Sequence, residues 1–428
     1  MSRIGSLVAA GFVTVVTGIT IFWFVHSAPP RELIITSGPA GSSFERFAEG
    51  YRDQLASNGV TLKIVSSQGS VENLERLEDP AYRVDIGFVQ SGTPEGTNTQ
   101  KLFSLGSVAY EPLLVFYRGA NSMSLLSGLN GRRLAIGAVG SGTHSLVTTL
   151  LQTNGITPGG ATQFENLDAD AAAKALLDGT VDAVFLMGDS ASGLTVRTLL
   201  RAPGIQLMSF EQADAYVRRF NFLNKLKLPE GGIDLGKNLP AQDVWLIGPS
   251  VELVARQKLN PALSDLLLEA AHEVHGKASL LQNQGEFPAP LVHEFKISPD
   301  ASRYYKSGKT LLYRWLPFWL ASLLNRILVA FVPFILVLIP GLRMIPAGYK
   351  WRIQLRIYRW YRKLIALERE LDGQLTATKL EELRARLGEI EKVVAHMRVP
   401  ASFANQFYTM RQHIDYVREK LQREAGPK

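Results

Sequence analysis

The chain of 428 residues has no cysteine. That removes disulfides, thiolate metal sites and thiol nucleophiles, and it leaves the compartment undecided on redox grounds. Neither glycine-rich strand–helix junction carries Gly-Lys-Ser/Thr at its helix start, so neither is a nucleotide phosphate loop. "GPAGSS" and "GAVGSG" also fail the G-x-G-x-x-G pattern of a dinucleotide site. His272 and His275 lie three apart on a helical stretch with no third ligand nearby, which suits a solvated helix face better than zinc. There is no internal repeat of fixed period, and no cofactor is expected. Charged residues make up 20% against 46% hydrophobic, a globular composition that implies no large disordered region. The net charge of +7 lies mostly after Tyr349, beside an apolar segment, a pattern that fits a membrane surface rather than nucleic acid.

Two segments have the length and apolarity of membrane anchors. "IGSLVAAGFVTVVTGITIFWFV", Ile4 to Val25, follows a single basic residue, Arg3, and ends in Phe22, Trp23 and Phe24, which suit an interface. A cleaved signal peptide, with "VHS" before Ala28, is the competing reading. "ILVAFVPFILVLIPGLRMIP", Ile327 to Pro346, contains Pro333 and Pro340, expected to kink it. Arg343, Lys350, Arg352, Arg356, Arg359, Arg362 and Lys363 follow, so by the positive-inside rule the tail is cytoplasmic and residues 30 to about 310 are outside.

Between the anchors, strand and helix patterns alternate. "ELIITS", "TLKIVSS", "VDIGFVQS", "EPLLVFYR", "RRLAIGAV", "DAVFLM", "IQLMSF" and "DVWLIGPS" are expected as strands, with helices at 43–57, 143–154 and 169–178 among them. Such alternation predicts mostly parallel α/β sheets. The expected organisation is an anchor at 1–29, a first lobe at 30–112, a second lobe at 113–240 and a return to the first at 241–303. An interfacial amphipathic helix at 304–326, a membrane helix at 327–348 and a basic helical tail at 349–428 complete it. Residues 250–275 are expected to be helical, and the tail to form a helical hairpin broken at Asp372–Gly373, or a short coiled coil with a partner.

The two glycine-rich turns carry the chemistry. In the first, Gly38 and Gly41 permit unusual backbone angles, and Ser42 or Ser43 can cap the following helix. Free N–H groups of a first helical turn favour an anion by about 0.3–1 kcal/mol when exposed and up to about 2 when partly buried. Gly137, Gly140, Ser141, Gly142 and Thr143 repeat the device. One such turn is as well explained by local capping; two, one in each lobe, point to a single anion held between them. Ligands in open α/β sheets sit beyond the carboxyl ends of strands, which makes the interlobe cleft the expected site.

"SGPAGSSFERFAEGY", "VSSQGSVENLERLED", "VDIGFVQSGT", "GRRLAIGAVGSGTHSLVTTLLQTNGI" and "LLDGTVDAVFLM", in that order, resemble the TAXI family of TRAP-transporter solute-binding proteins over about residues 31 to 295. The resemblance implies an α/β, two-lobed periplasmic-binding-protein fold (type II-like) that closes on a small organic acid or amino acid, such as glutamate or a dicarboxylate, and delivers it to a TRAP-type permease in the bacterial inner membrane. It places ligand contacts at Ser37, Gly38, Ser42, Ser43 and Phe44, then at Gln68, Gly69, Ser70 and Asn73, and at Gln90, Ser91 and Gly92. From the other lobe come Ser141, Thr143, His144 and Ser145, with Asp189 and Ser190. Asp189 is a partner for a ligand amino group or a helix N-cap; Gln90 and Asn73 are ligand contacts or buried amides that satisfy loop backbone. The first turn departs from the family, with Ser43-Phe44-Glu45 where Tyr-Tyr-Pro is common.

"GDSAS" (188–192) resembles the surround of a nucleophilic serine, but the hydrolase pattern does not continue around it. No enzyme is expected. The competing function is a ligand sensor that reports through the second anchor to the helical tail and a protein partner.

Overall fold

In a computed structural model the described residues are 3–26, 28–93, 99–119, 122–159, 161–291, 294–308, 312, 315–373, 376–397, 399 and 401–424. The chain forms two compact units, Ala28–Asn325 and a second made of Met1–Ser27 with Arg326–Lys428.

The unit Ala28–Asn325 contains two sheets. The first opens with β1 (Glu32–Thr36), β2 (Thr61–Val65), β3 (Ile86–Gln90) and β4 (Leu102–Tyr110). The chain then enters the second sheet, built from β5 (Leu114–Arg118), β6 (Arg133–Ala135), β7 (Gln163–Glu165), β8 (Ala183–Leu186) and β9 (Ile205–Leu207). It returns through β10 (Leu223–Leu228) and β11 (Val244–Arg256). The first sheet has the order β10-β11-β3-β1-β2, with β4 also on β11, and the second β7-β6-β8-β5-β9. Parallel and antiparallel pairs mix in both sheets. The outgoing and returning strands are bonded side by side where they change sheets. Glu111 N–H donates to Pro249 O at 3.0 Å and Leu113 N–H to Ile247 O at 2.8 Å.

Each sheet has its own core. Leu33, Ile35, Phe44, Tyr51, Phe88 and Leu253 pack in the first lobe, and Val115, Leu134, Val147, Leu150 and Phe185 in the second. β3 is buried along its whole length, which is why "IGFVQ" shows no alternation.

The strands expected from sequence are present, but three were not foreseen: β4, β7 and β10. Residues 250–275 also depart from expectation. β11 continues through Arg256, and only then does a helix begin, Pro261–His275, capped by Asn260. Val251, Leu253, Val254 and Ala255 are buried between β3 and β4, so the apolar run that resembles a buried helix is a central strand. The expected lobe boundary at 240/241 falls in the loop between β10 and β11. Residues 304–326 are divided between the helices Pro299–Ser307 and Phe318–Leu371, and 309–311 and 313–314 lie outside the described residues.

The second unit is helical. Phe318–Leu371 is one unbroken helix through Pro333 and Pro340, and its stretch Phe318–Gly341 is long and apolar enough to cross a membrane. The N-terminal helix Arg3–His26 is apolar over the shorter span Ala10–His26. Within this unit the Arg326 guanidinium lies 5.0 Å from the centre of the Phe24 ring. The tail is a three-helix arrangement rather than a hairpin. Leu364 and Leu367 meet Leu383, Leu387 and Ile390 of helix Ala377–Ala395 and Met410, Ile414 and Val417 of helix Ala404–Glu424.

Candidate functional site

β1 pairs in parallel with β2 on one side and β3 on the other, so the connection through helix Ser43–Ser57 runs from β1 to β2 and the one through helix Ser70–Glu78 returns from β2 past β1 to β3. β6 stands in the same relation to β7 and β8. Both glycine-rich turns therefore leave a strand where the strand order reverses, the place at which α/β sheets hold ligands.

The helix starts are capped from within. The Ser42 side chain accepts from Glu45 N–H, and Ser141 from His144 N–H. The second-lobe turn is closed by a carboxylate of the chain itself. Asp189, fully buried after β8, accepts from Gly142 N–H at 2.7 Å and from the Thr143 and Ser190 hydroxyls, each at 2.9 Å. The Ser70 main-chain N–H of the other lobe lies against the same group. Burial pushes this carboxyl above its usual range, against the pull of those hydrogen bonds. A chain carboxylate thus sits at the second of the two glycine turns that the sequence suggests for an external anion, facing the start of helix Ser70–Glu78 rather than the first turn.

Two main-chain bonds cross the cleft. Ser43 N–H donates to Gly188 O at 2.7 Å, and Glu72 N–H donates to Gly140 O at 3.0 Å. In these two bonds the first lobe gives the proton and the second receives it; at the lobe junction Leu113 N–H and Phe210 N–H of the second lobe donate the other way, to Ile247 O and Trp245 O. The approach is close: a Cβ on Gly69, whose φ is +133°, would stand 2.5 Å from Asp189 Oδ2, and one on Gly142 would stand 2.2 Å from Gln90 Oε1.

Beside this contact is a cavity of about 420 Å³, within the usual range for small-molecule pockets. Pro39, Ala40 and Gln68 line it from the first lobe, and Thr143, Asp168, Asp170, Ser190 and Ser192 from the second. Among the described residues no Lys or Arg lines it. Asp168 caps its helix through Ala171 N–H, and Asp170 accepts from the Thr195 hydroxyl at 2.5 Å. Each keeps acceptor capacity beyond these bonds.

Of the residues singled out from sequence, Gln68, Thr143 and Ser190 line this cavity. Gly38, Gly69, Ser70, Gln90 and Asp189 form the interlobe contact beside it; the Nε2 of Gln90 is buried without a partner. Ser37 is buried with its N–H on Val65 O, and Ser43 donates to the Glu111 carboxyl at 2.5 Å. Several others are corrections. Phe44 is core, 5.4 Å from the Phe88 ring. Asn73 is a satisfied internal amide: its Nδ2 donates to Ser37 O and Phe88 O, and its Oδ1 accepts from Thr36 and Ser67. Ser91 bonds Ser250, and Gly92 N–H donates to Glu294. Ser42 and Ser141 serve as caps. His144 stands beside Asn166 and is held below the usual histidine range by burial, and Ser145 N–H donates to Ser141 O. Asp189 does cap a helix, but across the fold rather than its own; the following helix is capped by Ser192. Asp168 and Asp170 were missed, although "LDAD" before a helix at the end of a strand is a cap signature at the same sheet end as the two glycine turns.

Ser190 donates to Asp189 and bonds Thr143, with no histidine among its partners in the described residues, so the serine–histidine pair of a hydrolase is not formed there.

A family model described as the NMT1-like family matches residues 45–282. No curated protein sequence matches the chain significantly. Among solved structures, an ancestral arginine-binding protein bound to arginine is 15% identical, with a TM-score of 0.37 over 58% of this chain and 93% of that one. The substrate binding protein of an amino acid ABC transporter is 15% identical, with a TM-score of 0.35 over 57% of this chain and 92% of that one. The periplasmic aliphatic sulphonate binding protein SsuA from Escherichia coli is 15% identical, with a TM-score of 0.37 over 57% of this chain and 69% of that one. All three are described as binding proteins, none as an enzyme.

Proposed function

Because the chain belongs to the NMT1-like family, we propose that its lobed unit is an extracytoplasmic solute receptor of the TAXI type, closing on an amino acid and serving a TRAP-type permease. It is a binding protein and not an enzyme. The observation that carries the choice of solute is the polarity of the cleft. Ser43 and Glu72 N–H of the first lobe donate across the cleft next to the acidic cavity, whose wall carries Asp168 and Asp170 from the second lobe. A zwitterion matches both sides, with its carboxylate on amides released as the lobes part and its ammonium on the aspartates. A C4 or C5 dicarboxylate matches only the first side and meets uncompensated carboxylates on the second, so neutral and basic amino acids rank above glutamate.

The tether fits this reading. The apolar stretch Phe318–Gly341 and the helix Arg3–His26 would hold the receptor at the membrane, with the basic segment after Tyr349 on the cytoplasmic side. Calorimetry of the full-length protein against the common amino acids and a dicarboxylate series tests the proposal. Binding of at least one amino acid and of no dicarboxylate is expected. No binding across the panel, or preference for a dicarboxylate, refutes it.

The three-helix arrangement around Leu367 and Leu387 favours a second reading, in which solute closure is signalled to a partner of the tail. Deleting residues 374–428 separates the two: uptake that survives the deletion assigns transport to the receptor alone.

A further inference from the structure

A second cavity, of about 690 Å³, has walls of a different kind. Ser190 and Ser192 line the acidic cavity, whereas Gly188, Ala191 and Gly193 of the same segment line this one. Its first-lobe wall carries Arg46 and Phe47 on helix Ser43–Ser57, and its second-lobe wall carries Val196, Arg197, Leu200 and Arg201 on helix Gly193–Arg201. Ile233, Val274 and Lys277 close it further.

Four cations therefore meet an apolar surface. Arg201 and Lys277 have only long ion pairs, 3.5 Å to Asp234 and 3.8 Å to Glu273, of the exposed kind that contribute little. Among the described residues, neither Arg46 nor Arg197 has a carboxylate within ion-pair distance. The one carboxyl on the wall, Glu111, is pushed up to about 8 by burial, so at neutral pH it is mostly protonated and repels no anion. A second, independent sign of an occupant is His275. It is 3% exposed and on the cavity wall, its ring lies edge-on to Phe47 at 4.5 Å, and its Nε2 has no hydrogen-bond partner among the described residues. Buried polar atoms are normally partnered, and one left over at a cavity wall marks a place where a ligand group or water belongs.

We propose that this cavity binds a small amphipathic organic anion, a carboxylate on an aliphatic or aryl body. Arg46 and Arg197 hold the acid group, and Phe47, Val196, Leu200 and Ile233 receive the body. The two arginines come from different lobes, so the occupant bridges them. The lining residues of this cavity are distinct from those of the acidic cavity, although both cavities border the segment 188–193.

The test uses the full-length protein in lipid nanodiscs and ¹⁹F NMR of 4-(trifluoromethyl)phenylacetate, with the isosteric amide as the neutral probe and empty nanodiscs as the blank. The acid is expected to bind at least about tenfold more tightly than the amide. Arg46→Gln with Arg197→Gln should weaken the acid by about tenfold or more, and a saturating mixture of amino acids should leave it bound. The acid and amide comparison is made on the unaltered chain, so it holds even if the double variant folds poorly. Equal binding of acid and amide, no signal above empty nanodiscs, an unaffected folded double variant, or displacement by amino acids would each overturn the proposal.

Discussion

Replacing Asp189 with alanine probes the cleft directly. The carboxylate now serves Gly142 N–H and lies against Ser70 N–H, two donors at helix N-termini in a closed contact. Without it each loses its acceptor, and a buried unpaired polar group costs about 1–3 kcal/mol. The Thr143 and Ser190 hydroxyls remain bonded to each other at 2.9 Å, so they add little. Burial already disfavours the ionised carboxyl, which offsets part of the loss and places the net destabilisation at about 2–3 kcal/mol. For a unit of this size that lowers Tm by about 4–12 °C. The emptied seat then resembles a ready-made anion site, so acetate should restore much of the loss. At a hundredfold over its Kd a ligand contributes about 2.7 kcal/mol. The assay is a thermal melt of the full-length protein and of Asp189→Ala, each titrated with acetate and, as a salt control, with chloride. If acetate raises both proteins equally, or if the alanine variant melts with the wild type, the reasoning that Asp189 fills an anion seat is wrong.

Other outcomes follow from the same geometry. Gly142→Ala sets a methyl 2.2 Å from the buried Gln90 Oε1; overpacking of this kind costs about 1–3 kcal/mol. Here it opposes closure, so calorimetry should find the Kd for an amino-acid solute raised about tenfold or more. Glu111 sets a pH dependence: its carboxyl is protonated in the fold up to about 8 because burial disfavours the charge, while the unfolded chain ionises near the usual 4.5. The folded pKa is the raised one, so its contribution is complete below about 4.5 and is lost as pH rises to 8, at about 1.4 kcal/mol per unit. Glu111→Gln should flatten melting curves collected between pH 5 and 8, and identical slopes would contradict the assignment. Leu367→Ala empties a fully buried position of the three-helix arrangement and should destabilise it by about 2–5 kcal/mol, seen as faster proteolysis within residues 350–424.

The elements whose boundaries came close from sequence are those with local signals. Helix Ala169–Asp178 follows a capping aspartate and ends at Gly179 in the left-handed conformation, and Ser42 and Ser141 announce the helices after the glycine turns. β11 was misjudged because its second half is enclosed on both sides by partners distant in sequence and so carries no strand alternation, while the turn at Gln257–Lys258 and the Asn260–Pro261 helix start that follow it were not read as its end. β4, buried along almost its whole length against the same strand, was missed for the same reason; β10 is an edge strand whose alternating burial was overlooked.

The candidate site divides along a similar line. Residue order alone determined that two capped glycine turns leave strands of an alternating α/β chain, because capping and turn formation act over four or five neighbours. It also located an apolar stretch at 327–346 and the basic tail after it, since length and charge are properties of the string, whereas the structure places the apolar span at Phe318–Gly341. Only the tertiary structure decided what those turns hold. Asp189 lies 47 residues from Gly142, and its carboxylate takes the anion's seat only because β8 ends beside β6. The opposite charge of the two cavities was settled in the same way: Asp168 and Asp170 gather at one wall and Arg46 and Arg197 at another through packing of segments far apart in the chain, which no local pattern encodes.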